Sequence, residues 1–122
     1  MLIIDANAIL RYVLYDNEDM AKEVNNLIQN NKVTIRYEVM AEVIYVLEKV
    51  YSMPRFEIAD GIKFFLNLSN IEIESVTVLQ VALKTYADTN MDFVDCLLYG
   101  FKMSLNCDIF TFDKKLKNLL DS

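Results

Sequence analysis

Histidine is absent from this 122-residue chain. That absence removes the usual general base near neutral pH, every Ser–His or Cys–His nucleophile pair, and the commonest zinc ligand. Hydrolytic chemistry must therefore run on carboxylates, on a lysine, or on a metal held by oxygen. Glycine occurs twice and proline once, which argues for compact order and against a disordered tail or linker. No apolar run approaches the roughly 18 residues a membrane-spanning helix needs. Strand-like sequence starts at Leu2 with no basic leader, so a cytoplasmic protein without a signal peptide is the expectation. The only cysteines, Cys96 and Cys107, lie in the apolar stretches DCLLYG and LNCDIF and read as two buried thiols rather than a disulfide. Basic charge is also scarce. The net charge of -6 argues against the broad basic face of a typical nucleic-acid-binding module, although acids gathered in one pocket would have part of their charge offset by a divalent cation.

Apolar residues make up 54% of the chain, enough for residues 1–122 to form one domain with an ordinary core. Leu2–Ile4, Val33–Ile35, Ile71–Ile73 and the stretch DIFTF at 108–112 read as four short strands. Helical spacing marks Ala21–Ile28, Tyr37–Tyr51, a segment opened by Pro54, Val78–Ala87, Met91–Met103 and Lys114–Leu120, while Ala8–Tyr15 is mostly apolar. Strands alternating with helices predict an α/β domain with a parallel sheet covered on both faces.

Four carboxylates stand where apolar residues are expected. Asp5 follows the first strand and Asp113 the last, at the carboxyl ends where α/β sheets place their sites, although each also fits as the N-cap of the helix that follows. Glu42 shares a helical stripe with Val39 and Val46, and Asp95 lies within the apolar helix MDFVDCLLYGFKM. Asn90 is a plausible N-cap for that helix, which places Asp92 and Asp95 at its positive end. Capping, or an edge position reaching solvent, is the structural alternative for each acid. If the four converge, a pair of charges about 4 Å apart costs about 4 kcal/mol at an effective dielectric near 20. Such a cluster holds protons or a hard cation, and oxygen donors without sulfur or imidazole suit Mg²⁺ or Mn²⁺.

The stretches LIIDANAIL, VMAEVIYVLEKVY, DFVDCLLYG and IFTFDKKLKNL, in that order, resemble the PIN-domain ribonucleases, and among them the VapC-type toxins of toxin–antitoxin pairs. The resemblance implies a three-layer PIN-like domain whose central parallel sheet has four, at most five, short strands. It implies an acidic pocket holding one or two Mg²⁺ or Mn²⁺ ions that cleaves RNA. Asp5, Glu42, Asp95 and Asp113 match the family's acidic positions, with Asp5 and Asp95 as the first choices for direct ligands. Asn7 and Thr111 match its supporting polar positions, and Asp92 stands beside them. Arg11, Lys114 and Lys115 are candidates to meet the RNA backbone. An antitoxin and a homodimer partner would cover Tyr12, Tyr15, Tyr45, Tyr51, Phe56 and Phe64, which exceed what one small core hides. Many relatives continue past the last acidic motif into a further strand, whereas one short helix is the expectation here after Asp113. Two rivals remain: an inert PIN-fold interaction module, and an aspartyl phosphotransferase or phosphatase. The second wants another Asp two residues after the first, where this chain has Asn7.

Overall fold

Helices dominate, because strands in this chain are only two or three residues long. The computed structural model describes residues 1–122. In chain order the elements are β1 (Leu2–Ile3), α1 (Ala6–Leu14), α2 (Glu18–Asn30), β2 (Val33–Ile35), α3 (Tyr37–Lys49), α4 (Arg55–Leu66), β3 (Ile71–Ile73), α5 (Val76–Asp88), α6 (Phe93–Leu105) and α7 (Lys114–Asp121). The sheet is parallel in the order β1-β2-β3, with Leu2 opposite Val33, and Val33 in turn opposite Ile71. Central β2 buries Val33 and Ile35 completely, as expected for a strand covered on both faces, whereas Ile3 on edge strand β1 is half exposed.

The helix starts follow from local chemistry. Asp5, Asn17, Ser75 and Asp113 each accept a backbone N–H of the first turn through the side chain, which satisfies amides the helix leaves orphaned. Scarce glycine shows at the C-termini. The left-handed residues that close α1 and α6 are Tyr15 (φ 54°) and Asn106 (φ 56°). Asn tolerates that conformation, and Tyr does so only at a cost.

The α/β class and parallel sheet match the expectation, but the sheet has three strands rather than four or five. Residues 108–112 form no ladder. After Asn106 turns the chain out of α6, the Thr111 hydroxyl accepts the Asp113 amide at 3.0 Å, a local bond that competes with strand pairing. Phe110 and Phe112 pack edge to face on each other, with centroids 5.1 Å apart, and stay almost wholly exposed. Asp113 therefore begins a helix without ending a strand. Two smaller corrections concern the cysteines and α6. Both thiols are free, but only Cys96 is buried and Cys107 lies exposed. Asp92, not Asn90, occupies the N-cap position of α6.

One continuous core takes Ile9 and Leu10 from α1, Met40, Val43, Ile44 and Leu47 from α3, and Leu116 and Leu120 from α7. Asn70 ties its sheet to α2: the side-chain amide donates to the carbonyls of Ile28 (2.9 Å) and Gln29 (3.2 Å), and its own carbonyl accepts from Val33. Asn70→Ala removes two bonds to end-of-helix carbonyls and is expected to cost about 1–2 kcal/mol. Urea unfolding should show a lower midpoint at unchanged slope.

Candidate active site

Helix α6 starts with carboxylates because its first turn carries Asp92 and Asp95, while Phe93, Cys96, Leu97 and Gly100 face the core. Asp92 holds the N-cap position without a side-chain capping bond, so its exposed carboxylate is not committed to the helix. Asn90 instead accepts a bond from the Lys115 ammonium at 3.2 Å, which joins α7 to the approach to α6. Asp95 is half-buried. Burial pushes its carboxyl above the usual range, and the negative charges of Asp113 and then Asp92 push it further the same way. The positive end of α6 works in the opposite direction.

A shallow cleft separates this helix end from α3, lined by Tyr45 and Glu48 on one side and by Asp92 and Asp95 on the other. Cys96, next to Asp95, points inward with its sulfur 3.7 Å from the Met91 carbonyl. Burial pushes its thiol up to about 11, so it is protonated at neutral pH.

The remaining sequence-derived candidates divide by what else they do. Asp5 accepts the Ala8 amide at 2.9 Å through one carboxylate oxygen and Asp113 the Leu116 amide at 2.8 Å, so both are N-caps, as the structural alternative held. Glu42 is exposed. The buried stripe of α3 runs through Met40, Val43, Ile44 and Leu47, one position round from the Val39–Val46 line, and Glu42 lies on its edge. Asn7 is exposed, and Thr111 fixes the backbone before Asp113 rather than a carboxylate. Arg11 is paired with Asp16 at 3.1 Å and Lys115 with Asn90, whereas Lys114 has no partner in the protein.

The charges of Asp113 and Asp92 thus act on Asp95, whereas Asp5 and Glu42 are not among the charges that shift it. No three acidic or cysteine side chains stand close enough together to ligate one ion. The donor chemistry still fits a hard cation: oxygen-only groups, one desolvated and repelled by two neighbours, with the nearby sulfur buried in the core.

Glu48 belongs to a second constellation that the apolar pattern does not single out. It accepts the Tyr86 hydroxyl and pairs with Arg55 at 3.1 Å, and the Tyr86 bond holds its carboxyl below the usual range. The available signal was spacing: Glu48 lies four residues after buried Ile44.

The expected surplus of aromatics is visible at the surface. Tyr15, Tyr45, Tyr51, Phe56 and Phe64 are exposed, while Tyr12 packs edge-on against Phe65 with centroids 5.6 Å apart. Tyr12, Val13, Tyr15, Phe64 and Phe65 line one groove between α1 and α4. No helix is long and apolar enough to cross a membrane.

Comparison with known proteins places these features in a family. A protein of Aquifex aeolicus (strain VF5) named VapC ribonuclease is 24% identical over 126 residues, which covers 98% of this chain and 92% of that protein. No solved structure matches. The PIN domain family profile matches residues 2–120, nearly the whole chain. The chain belongs to the PIN-domain family.

Proposed function

We propose that the protein is a divalent-cation-dependent endoribonuclease, and that it is the toxin of a toxin–antitoxin pair. The observation that carries the reading is the half-buried Asp95 carboxyl, held against the charges of Asp113 and Asp92 at the start of α6. Such an arrangement disfavours the free anion and favours a bound cation. The likeness to a VapC ribonuclease supports the choice of RNA.

Bound Mg²⁺ or Mn²⁺ supplies an activated water and charge stabilisation at the phosphate under attack. Asp5 and Asp95 would hold the cation. The Asp5 cap bond fixes that carboxylate just past the carboxyl end of β1, and Asp92, at the N-cap position of α6, makes no capping bond. Glu42 and Asp113 would orient water or hold a second ion, with Asp113 anchored through Leu116 and the Thr111 turn. Lys114, the unpartnered cation beside Asp113, meets the RNA backbone. The antitoxin occupies the Tyr12–Phe64 groove with apolar side chains, and co-purification with the product of an adjacent reading frame tests it.

Asp5→Asn separates chemistry from folding, because asparagine caps a helix about as well as aspartate. The variant is expected to keep its melting temperature and to lose cleavage of single-stranded RNA in Mn²⁺ by about a hundredfold or more. Undiminished cleavage by this variant, or equal cleavage by the native protein in EDTA, rejects the mechanism. A second reading, an inert PIN-fold interaction module, is favoured by one observation: no three acids stand within ligating reach of one point. It requires that neither RNA cleavage nor a Mn²⁺-dependent rise in melting temperature be found.

A further inference from the structure

The guanidinium of Arg55, first residue of α4, has every nitrogen engaged. Nε donates to the Tyr86 carbonyl at 2.8 Å, one Nη donates to the Glu48 carboxylate at 3.1 Å, and the other donates to the Met91 carbonyl. Its central carbon stands 3.7 Å from the centroid of the Tyr86 ring, in cation–π geometry. Tyr86, almost wholly buried, closes the loop by donating its hydroxyl to the same Glu48 oxygen and packs edge-on against Phe93, centroids 6.0 Å apart. An ordinary ion pair would need only Glu48.

The two carbonyls matter because of where they lie. Tyr86 is near the end of α5, and Met91 immediately precedes Asp92, so Arg55 grips both ends of the turn that leads into the acidic end of α6. Within the turn the Thr89 hydroxyl donates to the Thr85 carbonyl at 2.7 Å and accepts the Met91 amide at 3.2 Å. The same residues border the cleft: Glu48 and Tyr86 line it together with Asp92 and Asp95.

We propose that Arg55 is a positioning residue for the site: by locking the Tyr86–Met91 turn against α3 and α4, it sets the direction in which Asp92 and Asp95 enter the cleft. This rests on the ribonuclease reading for its consequence in catalysis, and on geometry alone for the lock. Lysine keeps the charge but lacks the planar fork that bonds two carbonyls and a carboxylate while stacking on a ring. Tyr86→Phe keeps the ring and removes only the hydroxyl bond to Glu48.

The test compares the native protein with Arg55→Lys and Tyr86→Phe by amide hydrogen exchange, and by kcat, KM and the Mn²⁺ concentration giving half-maximal cleavage of single-stranded RNA. Arg55→Lys is expected to accelerate exchange about tenfold in residues 89–96 and little elsewhere. It should also lower kcat by about 10- to 100-fold and raise the Mn²⁺ requirement, with KM for RNA nearly unchanged. Tyr86→Phe should move all of these in the same direction by a smaller factor, and it decides the matter if Arg55→Lys does not fold. Native exchange rates in residues 89–96 overturn the proposal, and so does acceleration spread evenly over the protein. Faster local exchange with unchanged kcat and Mn²⁺ requirement also overturns it. A native protein that cleaves no RNA sinks the ribonuclease reading instead, and the exchange rates still decide whether Arg55 locks the turn.

Discussion

Asparagine in place of Asp95 is expected to abolish cation-dependent RNA cleavage while leaving the fold intact and slightly more stable at neutral pH without metal. The Asp95 side chain makes no hydrogen bond within the protein, and the amide has nearly the same shape, so no packing is lost. Its carboxyl is held above the usual range by burial, then by Asp113 and Asp92, so the folded chain binds that proton more readily than the unfolded chain. For such a group the stabilising contribution is present at low pH and is lost as pH rises through the carboxylate range. At neutral pH the ionised side chain is therefore a cost that asparagine removes, and below the ordinary aspartate value of about 3.9 the two proteins should converge. The lost first-turn charge opposes this gain by about 0.3–1 kcal/mol, which keeps it small. Thermal unfolding from acid to neutral pH checks the sign.

The larger effect of this substitution is on metal. A cation binding only the folded state stabilises it by about 2.7 kcal/mol at a hundredfold excess over its dissociation constant. The native protein should show that rise with Mn²⁺ and Asp95→Asn should not. Cleavage should fall by about a hundredfold or more, because a positioned cation supplies several kcal/mol of charge stabilisation. An Asp95→Asn protein that cleaves RNA at the native rate would remove α6 from the chemistry.

What could be read along the chain was what is encoded locally. Helix starts were legible at Asp5 and Asp113, each of which fits as a cap of its own first turn, whereas the starts capped by Asn17 and Ser75 lie before the apolar spacing that marks Ala21–Ile28 and Val78–Ala87. Strands β2 and β3 were legible because apolar residues alternate between turn signals. DIFTF has the same alternation and still forms no ladder, since pairing depends on a distant partner while the Thr111–Asp113 bond is at hand. The α3 stripe was misplaced by one position for a related reason: Val39 and Val46 are as apolar as Met40 and Leu47, and only tertiary packing decides which line turns inward. Composition indicated that acids would matter, but which of them share a field depends on where α6 and α7 start relative to each other. The Arg55 lock joins residues 31 and 36 positions apart, which no periodicity reports.

Gly100→Ala is expected to be the most damaging single-methyl change to stability. A Cβ built at Gly100 would stand 2.6 Å from the Val78 carbonyl oxygen, closer than such atoms approach, and the obstacle is α5 backbone rather than a side chain that can swing away. Helices α5 and α6 form the most extensive helix pair in the protein, and Val78 is wholly buried between them. The methyl must therefore push α6 off α5, an overpacking cost of about 1–3 kcal/mol or more. That exceeds the gain of up to about 1 kcal/mol from alanine's better helix propensity. Gly61, inside α4, supplies the control because a Cβ there meets nothing within 4 Å. Gly61→Ala should raise the urea midpoint through propensity alone while Gly100→Ala lowers it. Since Asp95 lies five residues before Gly100 on the displaced helix, Gly100→Ala should also slow RNA cleavage at temperatures where it is still folded, an effect Gly61→Ala should lack. Equal midpoints for Gly100→Ala and the native protein would mean that α5 and α6 do not approach as closely as Gly100 permits.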